Sequence, residues 1–128
     1  MHEQQIRRAA AGLGLVTLAF GIPPLVVPGQ FARLFGFAAP DPAVASMMRS
    51  LGVRDIVMGI GLWSAAAHGG KYAPWLLART LTDGGDTLAV GLAAGRGWRN
   101  PRFLALGALA VGATALDTVL YGAALRTK

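Results

Sequence analysis

The sequence predicts an all-α protein, an antiparallel four-helix transmembrane bundle. Three observations predict it. First, the 128-residue chain is 54% hydrophobic and only 14% charged, with a mean hydropathy of +0.50. An average soluble domain has about 25% charged residues. Second, the apolar residues form four stretches, each near the roughly 20 residues that span a bilayer as a helix. Third, aromatic residues collect near the ends of those stretches, with Trp63, Tyr72, Trp75 and Tyr121 towards one face and Trp98 and Phe103 towards the other. That is the distribution of an interfacial aromatic belt.

The chain has the length of a single domain, residues 1–128. The first span is expected at about 9–27. Arg7 and Arg8 precede it, and Gly21, Pro23 and Pro24 kink or end it, because proline lacks the amide hydrogen the helical ladder needs. No small-residue cleavage site follows the apolar run, so it reads as a retained span and not a removed leader. The segment Pro28–Pro40, with Phe31, Phe35 and Phe37 around Arg33, fits two descriptions equally: a helical turn lying in the membrane interface, or a hydrophobic loop packed on the bundle. The second span, about 43–68, opens with Asp41 as N-cap and Pro42 at the first helical position, and Gly69 and Gly70 end it. The third, about 73–95, has Pro74 in its first turn and Gly84 and Gly85 in its middle. Asn100 and Pro101 repeat the cap-then-proline signal for the fourth, about 101–125. Small residues at helical spacing allow close backbone approach between helices, notably Gly12 and Gly14, Gly52 with Gly59 and Gly61, Gly91 with Gly95, and Gly107 with Gly112. A faint repeat joins Asp55, Asp86 and Asp117, each followed by apolar residues and then Gly59, Gly91 or Gly122.

Cysteine is absent, which excludes disulfides, thiol catalysis and thiolate metal sites. The net charge of +6 does not indicate a nucleic-acid partner. The Lys and Arg residues outside the spans are scattered over short connections and not gathered on one polar face. Contact with anionic lipid headgroups accounts for them. Arg7, Arg8, Lys71, Arg126 and Lys128 fall on one face, against Arg33, Arg96, Arg99 and Arg102 on the other. A margin of one charge does not decide the orientation; it leans to both termini in the cytosol.

Seven charged residues lie inside the spans: Arg49, Arg54 and Asp55 in the second, Arg79, Asp83 and Asp86 in the third, and Asp117 in the fourth. A charge at mid-bilayer depth costs roughly 2.5–3.5 kcal/mol on insertion scales unless it finds a partner or water. With a helical rise of ~1.5 Å per residue, Arg49 lies ~11 Å and Asp86 ~14 Å from the face where the second span begins. Arg54, Asp55 and Asp83 lie ~18–20 Å in, and Arg79 and Asp117 ~24 Å in. Equal depth predicts three cross-helix pairs, Arg49–Asp86, Arg54–Asp83 and Arg79–Asp117, with Asp55 left over. Arg79 and Asp83 are also i, i+4 neighbours on one helix, which leaves alternative pairings open. Arg54 and Asp55, about 100° apart around the helix, cannot both face the bundle centre.

One buried Arg–Asp pair can simply fix helix register. Three Arg and four Asp at overlapping depths exceed that need, and they point to a polar site within the bundle. A carboxyl without a partner in a medium of low dielectric favours its neutral form, which can donate a proton. Asp55 and Asp86 are the first catalytic candidates, followed by Asp83 and Asp117. Arg49, Arg54 and Arg79 are candidates to bind substrate or orient those carboxylates. His2 and His68 lie at or outside the membrane face with no second ligand nearby, and they read as surface residues. Asp83 and Asp86 alone are a weak signal for Mg²⁺ with a diphosphate, because the arginines compete for their oxygens. Neither a metal nor a cofactor is expected. The serine and threonine hydroxyls of the spans, among them Ser46, Ser50, Ser64, Thr80, Thr82, Thr87, Thr114 and Thr118, read as packing groups, since no base is placed to activate them.

The chain resembles a family of small bacterial and fungal four-helix membrane proteins of unknown function. The resemblance rests on the apolar run from Gly14 to Pro28 with Phe31 to Gly36, on Arg49-x-x-Gly52-x-Arg54-Asp55-x-x-x-Gly59, and on Asp83 and Asp86. It implies that the Gly-x-Arg-Asp element marks the second span. It implies no activity. A looser likeness to small multidrug-resistance transporters comes from size and span number alone. Those keep an essential acid in their first span, and this chain has none there.

The function expected from these residues is a small membrane-embedded enzyme acting on a lipophilic small molecule by Asp-based acid–base chemistry, of the isomerase or cyclase type. The alternatives are a proton-coupled small-molecule transporter, working as a homodimer because four helices rarely form a full pathway, and a structural membrane subunit. The expected partners are the lipid bilayer and the lipophilic substrate, with no nucleic acid. The expected location is the inner membrane of a bacterium.

Overall fold

The computed structural model describes residues 2–38 and 41–127. Pro40, the expected end of the aromatic segment, and Lys128, one of the five charges used to orient the chain, lie outside them. Among the described residues the chain is all-helical, with helices α1 (Glu3–Val26), α2 (Pro28–Leu34), α3 (Pro42–Ala67), α4 (Ala73–Gly95) and α5 (Pro101–Arg126). α1 and α5 are long and apolar enough to cross a membrane. α3 and α4 match them in length but carry three charged residues each in their interiors.

Local chemistry explains the boundaries. The Asp41 carboxylate accepts from the Val44 amide at 2.7 Å and caps α3, with Pro42 following at the first position. The Asn100 side chain accepts from the Arg102 amide at 2.9 Å ahead of Pro101, and does the same for α5. α3 ends at His68, followed by Gly69 with φ +77°, a left-handed conformation that favours glycine. α1 differs from expectation at its start and agrees with it at its end. It starts at Glu3, where Glu3 and Arg7 pair at 3.1 Å, and the prolines do not stop it before Val26. The Val27 amide then bonds the Pro23 carbonyl at 2.8 Å, and α2 begins at once. The first part of the aromatic segment is a short helix, α2, and it packs on the protein. Phe31 and Ala32 are buried against Met48 of α3, and Phe31 meets Phe20 of α1 edge-on.

α1 packs mainly on α3, and α4 on α5. Each pair is antiparallel. Gly14 lies against Gly59 and Gly21 against Gly52, while Gly107 lies against Val90 and Thr87 against Thr114. A Cβ on Gly14 would sit 2.5 Å from the Trp63 amide nitrogen, and one on Gly52 2.6 Å from the Gly21 carbonyl oxygen. No side chain fits there, so glycine is what lets the α1 and α3 backbones touch. The other small residues do not serve this contact: Gly12, Gly91, Gly95 and Gly112 face open space.

Among the described residues the two pairs meet at both ends and in the middle; at the end of α2, Phe37 stacks on Trp98 and meets Phe103 of α5 edge-on. At the end shared by the N-terminus and the α3–α4 turn, Ile6, Ala10, Leu62, Ala66, Tyr72, Leu76, Leu120 and Ala124 form a buried apolar core. Arg7 stacks on the Tyr72 ring there, 4.8 Å from its centroid. Nearer the middle, charged side chains bridge the helices.

Candidate functional site

The charged layer divides into two clusters, each built round one arginine. Arg79 of α4 is buried, with its side chain 8% exposed. Its Nε donates to Asp117 Oδ1 of α5 at 3.1 Å and its Nη2 to Asp83 Oδ2, one turn along α4, at 3.0 Å. Its Nη1 donates to the Thr17 hydroxyl of α1. Thr17 in turn donates to the Leu13 carbonyl at 2.8 Å. The guanidinium fork thus ties α1, α4 and α5 together through one planar group, a geometry that lysine could not supply. Asp117 is fully buried, at 0% exposure. Among the described residues its Oδ2 is the buried side-chain oxygen with no hydrogen-bond partner.

Arg54 of α3 centres the second cluster. Its Nη1 and Nη2 donate to Asp86 Oδ1 and Oδ2 of α4 at 3.0 and 2.7 Å, a bidentate pair. Its Nε donates to Asp55 Oδ1 at 3.1 Å. This cluster is only partly covered, and the Asp86 side chain is 38% exposed. Arg79 and Asp117 are therefore sealed inside the helices, Asp83 and Asp55 are each partly exposed, and Asp86 opens at their side.

Of the three pairs predicted from depth, Arg79–Asp117 forms. The other two do not. Arg54 takes Asp86 and not Asp83, and Asp83 takes Arg79. Asp55 is not left over, since it pairs with its own neighbour Arg54. The reason is reach. A guanidinium stem covers more than a turn of helix, so the angle at which side chains leave the helices matters more than a depth difference of a few ångströms. Arg49 is not brought to either cluster, and among the described residues it forms no ion pair. It lines an open groove on α3 with Ser46, Ser50, Val53 and Arg54. Sequence reasoning missed Thr17. The available signal was that it is the one hydroxyl in the first apolar stretch.

His2 precedes α1 and is exposed, and the His68 ring lies 3.0 Å from the Ser64 carbonyl. Most threonine hydroxyls of the long helices bond to their own backbone, as packing groups do: Thr80, Thr87, Thr114 and Thr118 each reach the carbonyl four residues back.

Two guanidinium groups and four carboxylates within apolar helices can hold protons, bind an anion or lock the helices. No curated protein and no solved structure matches the chain. A family described as a domain of unknown function, DUF4267, matches residues 14–121, and the chain belongs to it.

Proposed function

We propose that the chain is an antiparallel four-span bundle of a bacterial inner membrane, and that it works as a small enzyme on a lipophilic small molecule by Asp-based acid–base chemistry, of the isomerase or cyclase type. Membrane residence is supported by where the apolar surface lies. Only 28% and 22% of the most apolar windows of α1 and α5 is buried, whereas the core helix of a soluble protein would be mostly buried. Val16, Leu81, Leu109 and Val119 are each at least 60% exposed.

The observation that carries the enzymatic reading is the open cluster. Arg54 holds the carboxylates of Asp55 and Asp86 on one guanidinium, at the side of the helices, where a molecule dissolved in the bilayer can reach Asp86. An isomerisation needs one group to give a proton and another to take one, with no net change. Neither acid lacks a partner, but two carboxyls on one guanidinium exceed it by one charge, so one of them can hold a proton: Asp86 and Asp55 supply that pair, and Arg54 fixes their positions. Arg79, Asp117 and Thr17 form the buried frame beside them, with Asp83 at its edge.

The test is turnover in vesicles. Purified protein is reconstituted with a membrane lipid extract, and the lipids are then separated by chromatography with mass detection. An isomerase or cyclase converts one species to another of equal mass and different retention. Asp86→Asn and Asp55→Asn should each abolish that conversion while keeping the helical content. Equal-mass conversion that persists in both variants would sink the assignment. One observation favours a structural subunit as the second reading: each of the four carboxylates is paired with an arginine. In that case no conversion occurs in the wild type, and the Asp86 and Asp55 variants change only stability.

A further inference from the structure

Arg49 is a cation inside a long apolar helix with no carboxylate to balance it. Arg54 and Arg79 hold four acids between them, while Arg49, among the described residues, has neither an ion pair nor a side-chain hydrogen bond. The cost of a lone charge at such a position is relieved by a counter-charge, by water, or by the long stem of this exposed arginine reaching towards the interface. Ser46, Arg49, Ser50 and Val53 fall at i, i+3, i+4 and i+7, so they share one face of α3. With Arg54, that face lines a shallow groove that is walled by this one helix and open along its outer side.

The two serines strengthen the case. Buried and half-buried threonines of this protein turn their hydroxyls back to the helix, as Thr17, Thr80, Thr87 and Thr114 do. Ser46 and Ser50 form no such bond among the described residues and are exposed to the groove. Two hydroxyl donors one turn apart beside an unpaired guanidinium are complementary to an oxyanion, which accepts from all three. Below them on the same face run Val53, Val57 and Ile60, which are 49%, 54% and 48% exposed. Arg49 lies seven residues from the start of α3, ~11 Å along its axis. The polar end of the groove is therefore nearer the helix terminus and the apolar stripe nearer the middle, the order of head and tail in a membrane amphiphile.

We propose that the α3 groove binds a single-chain amphiphile by its oxyanionic head, a phosphate or carboxylate held by Arg49, Ser46 and Ser50, with the tail along Val53, Val57 and Ile60. The inference deepens the proposed function by giving its lipophilic substrate an acidic head, and it rests on that reading only for the ligand's role as substrate. The head would lie one to two turns from Asp55 and Arg54.

Binding to the full chain in a neutral maltoside detergent tests it, with dodecyl phosphate as probe and dodecanol and inorganic phosphate as comparisons. Dodecyl phosphate should bind saturably and more tightly than either. Arg49→Gln should weaken it about tenfold or more, the loss of a charge-assisted contact. Ser46→Ala with Ser50→Ala should weaken it by a smaller factor. Both variants alter exposed side chains, and unchanged helical content and thermal midpoint will show that they fold. Dodecanol binding as tightly as dodecyl phosphate would overturn the oxyanion head. Inorganic phosphate doing so would overturn the tail. Wild-type affinity in Arg49→Gln would overturn the site. The two proposals fail separately: an intact amphiphile site with no equal-mass conversion removes the enzyme and keeps the groove, and conversion that survives the loss of amphiphile binding does the reverse.

Discussion

Replacing Arg79 by methionine should cost far more than replacing its partner Asp117 by asparagine, although both lie in the same buried cluster. One guanidinium here serves two carboxylates and a hydroxyl: Asp117 at 3.1 Å, Asp83 at 3.0 Å and Thr17. Methionine keeps much of the arginine stem's volume but removes all three bonds. Asp117, at 0% exposure, would then have no partner on either oxygen, because its Oδ2 already has none among the described residues. Stranding a buried charge in this way costs about 3–5 kcal/mol. Asparagine at 117 keeps the shape and the acceptor that faces Arg79 Nε, and it leaves Arg79 paired one-to-one with Asp83. It trades a charge-assisted bond for a neutral one, a loss of about 1 kcal/mol. The double variant Arg79→Met with Asp117→Leu should recover part of the Arg79→Met loss, since the stranded carboxylate is gone. The assay is reversible unfolding in mixed micelles, titrated with a denaturing detergent and followed by helical circular dichroism. A loss in Asp117→Asn equal to or greater than that in Arg79→Met would refute the reasoning.

The helix contacts and the membrane topology give two further expectations. A Cβ on Gly59 would lie 2.6 Å from the Gly14 carbonyl oxygen, so Gly59→Val should lower unfolding stability by about 1–3 kcal/mol. Gly112→Ala, which meets open space, should be neutral or stabilising by about 0.5–1 kcal/mol, and equal losses in the two would argue against backbone contact between α1 and α3. Because the chain has no cysteine, single probes are unambiguous: Lys71→Cys and Arg99→Cys should label from opposite sides of sealed vesicles with a membrane-impermeant maleimide, and labelling from one side would rule out the four-span arrangement.

The helices were legible because their signals are local. Asp41 with Pro42, Asn100 with Pro101, and the glycines after His68 act within one turn of the residues they cap, so order along the chain is enough to read them. The prolines of α1 were harder. The same Pro23 that removes one amide from the ladder supplies the carbonyl that the Val27 amide takes, and which effect prevails depends on the packing of Gly21 against Gly52 and of α2 against α3. The aromatic segment was undecided for a similar reason: whether Phe31 meets lipid or Met48 depends on where α3 runs.

The candidate site divides the same way. By itself the sequence determined which charged residues lie within apolar helices and that Arg79 and Asp117 share a depth, because helical rise converts residue number into height. It did not determine the azimuth of each side chain about its helix relative to its neighbours, nor how far the two helix pairs stand apart. Only the tertiary structure decided that Arg54 clasps Asp86 with both nitrogens, that Asp83 shares Arg79 with Asp117, that Thr17 completes that fork from α1, and that Arg49 faces a groove with no acid beside it. Height along a helix is a local property of the chain, whereas the direction of a long, flexible guanidinium is set by partners brought to it from other helices.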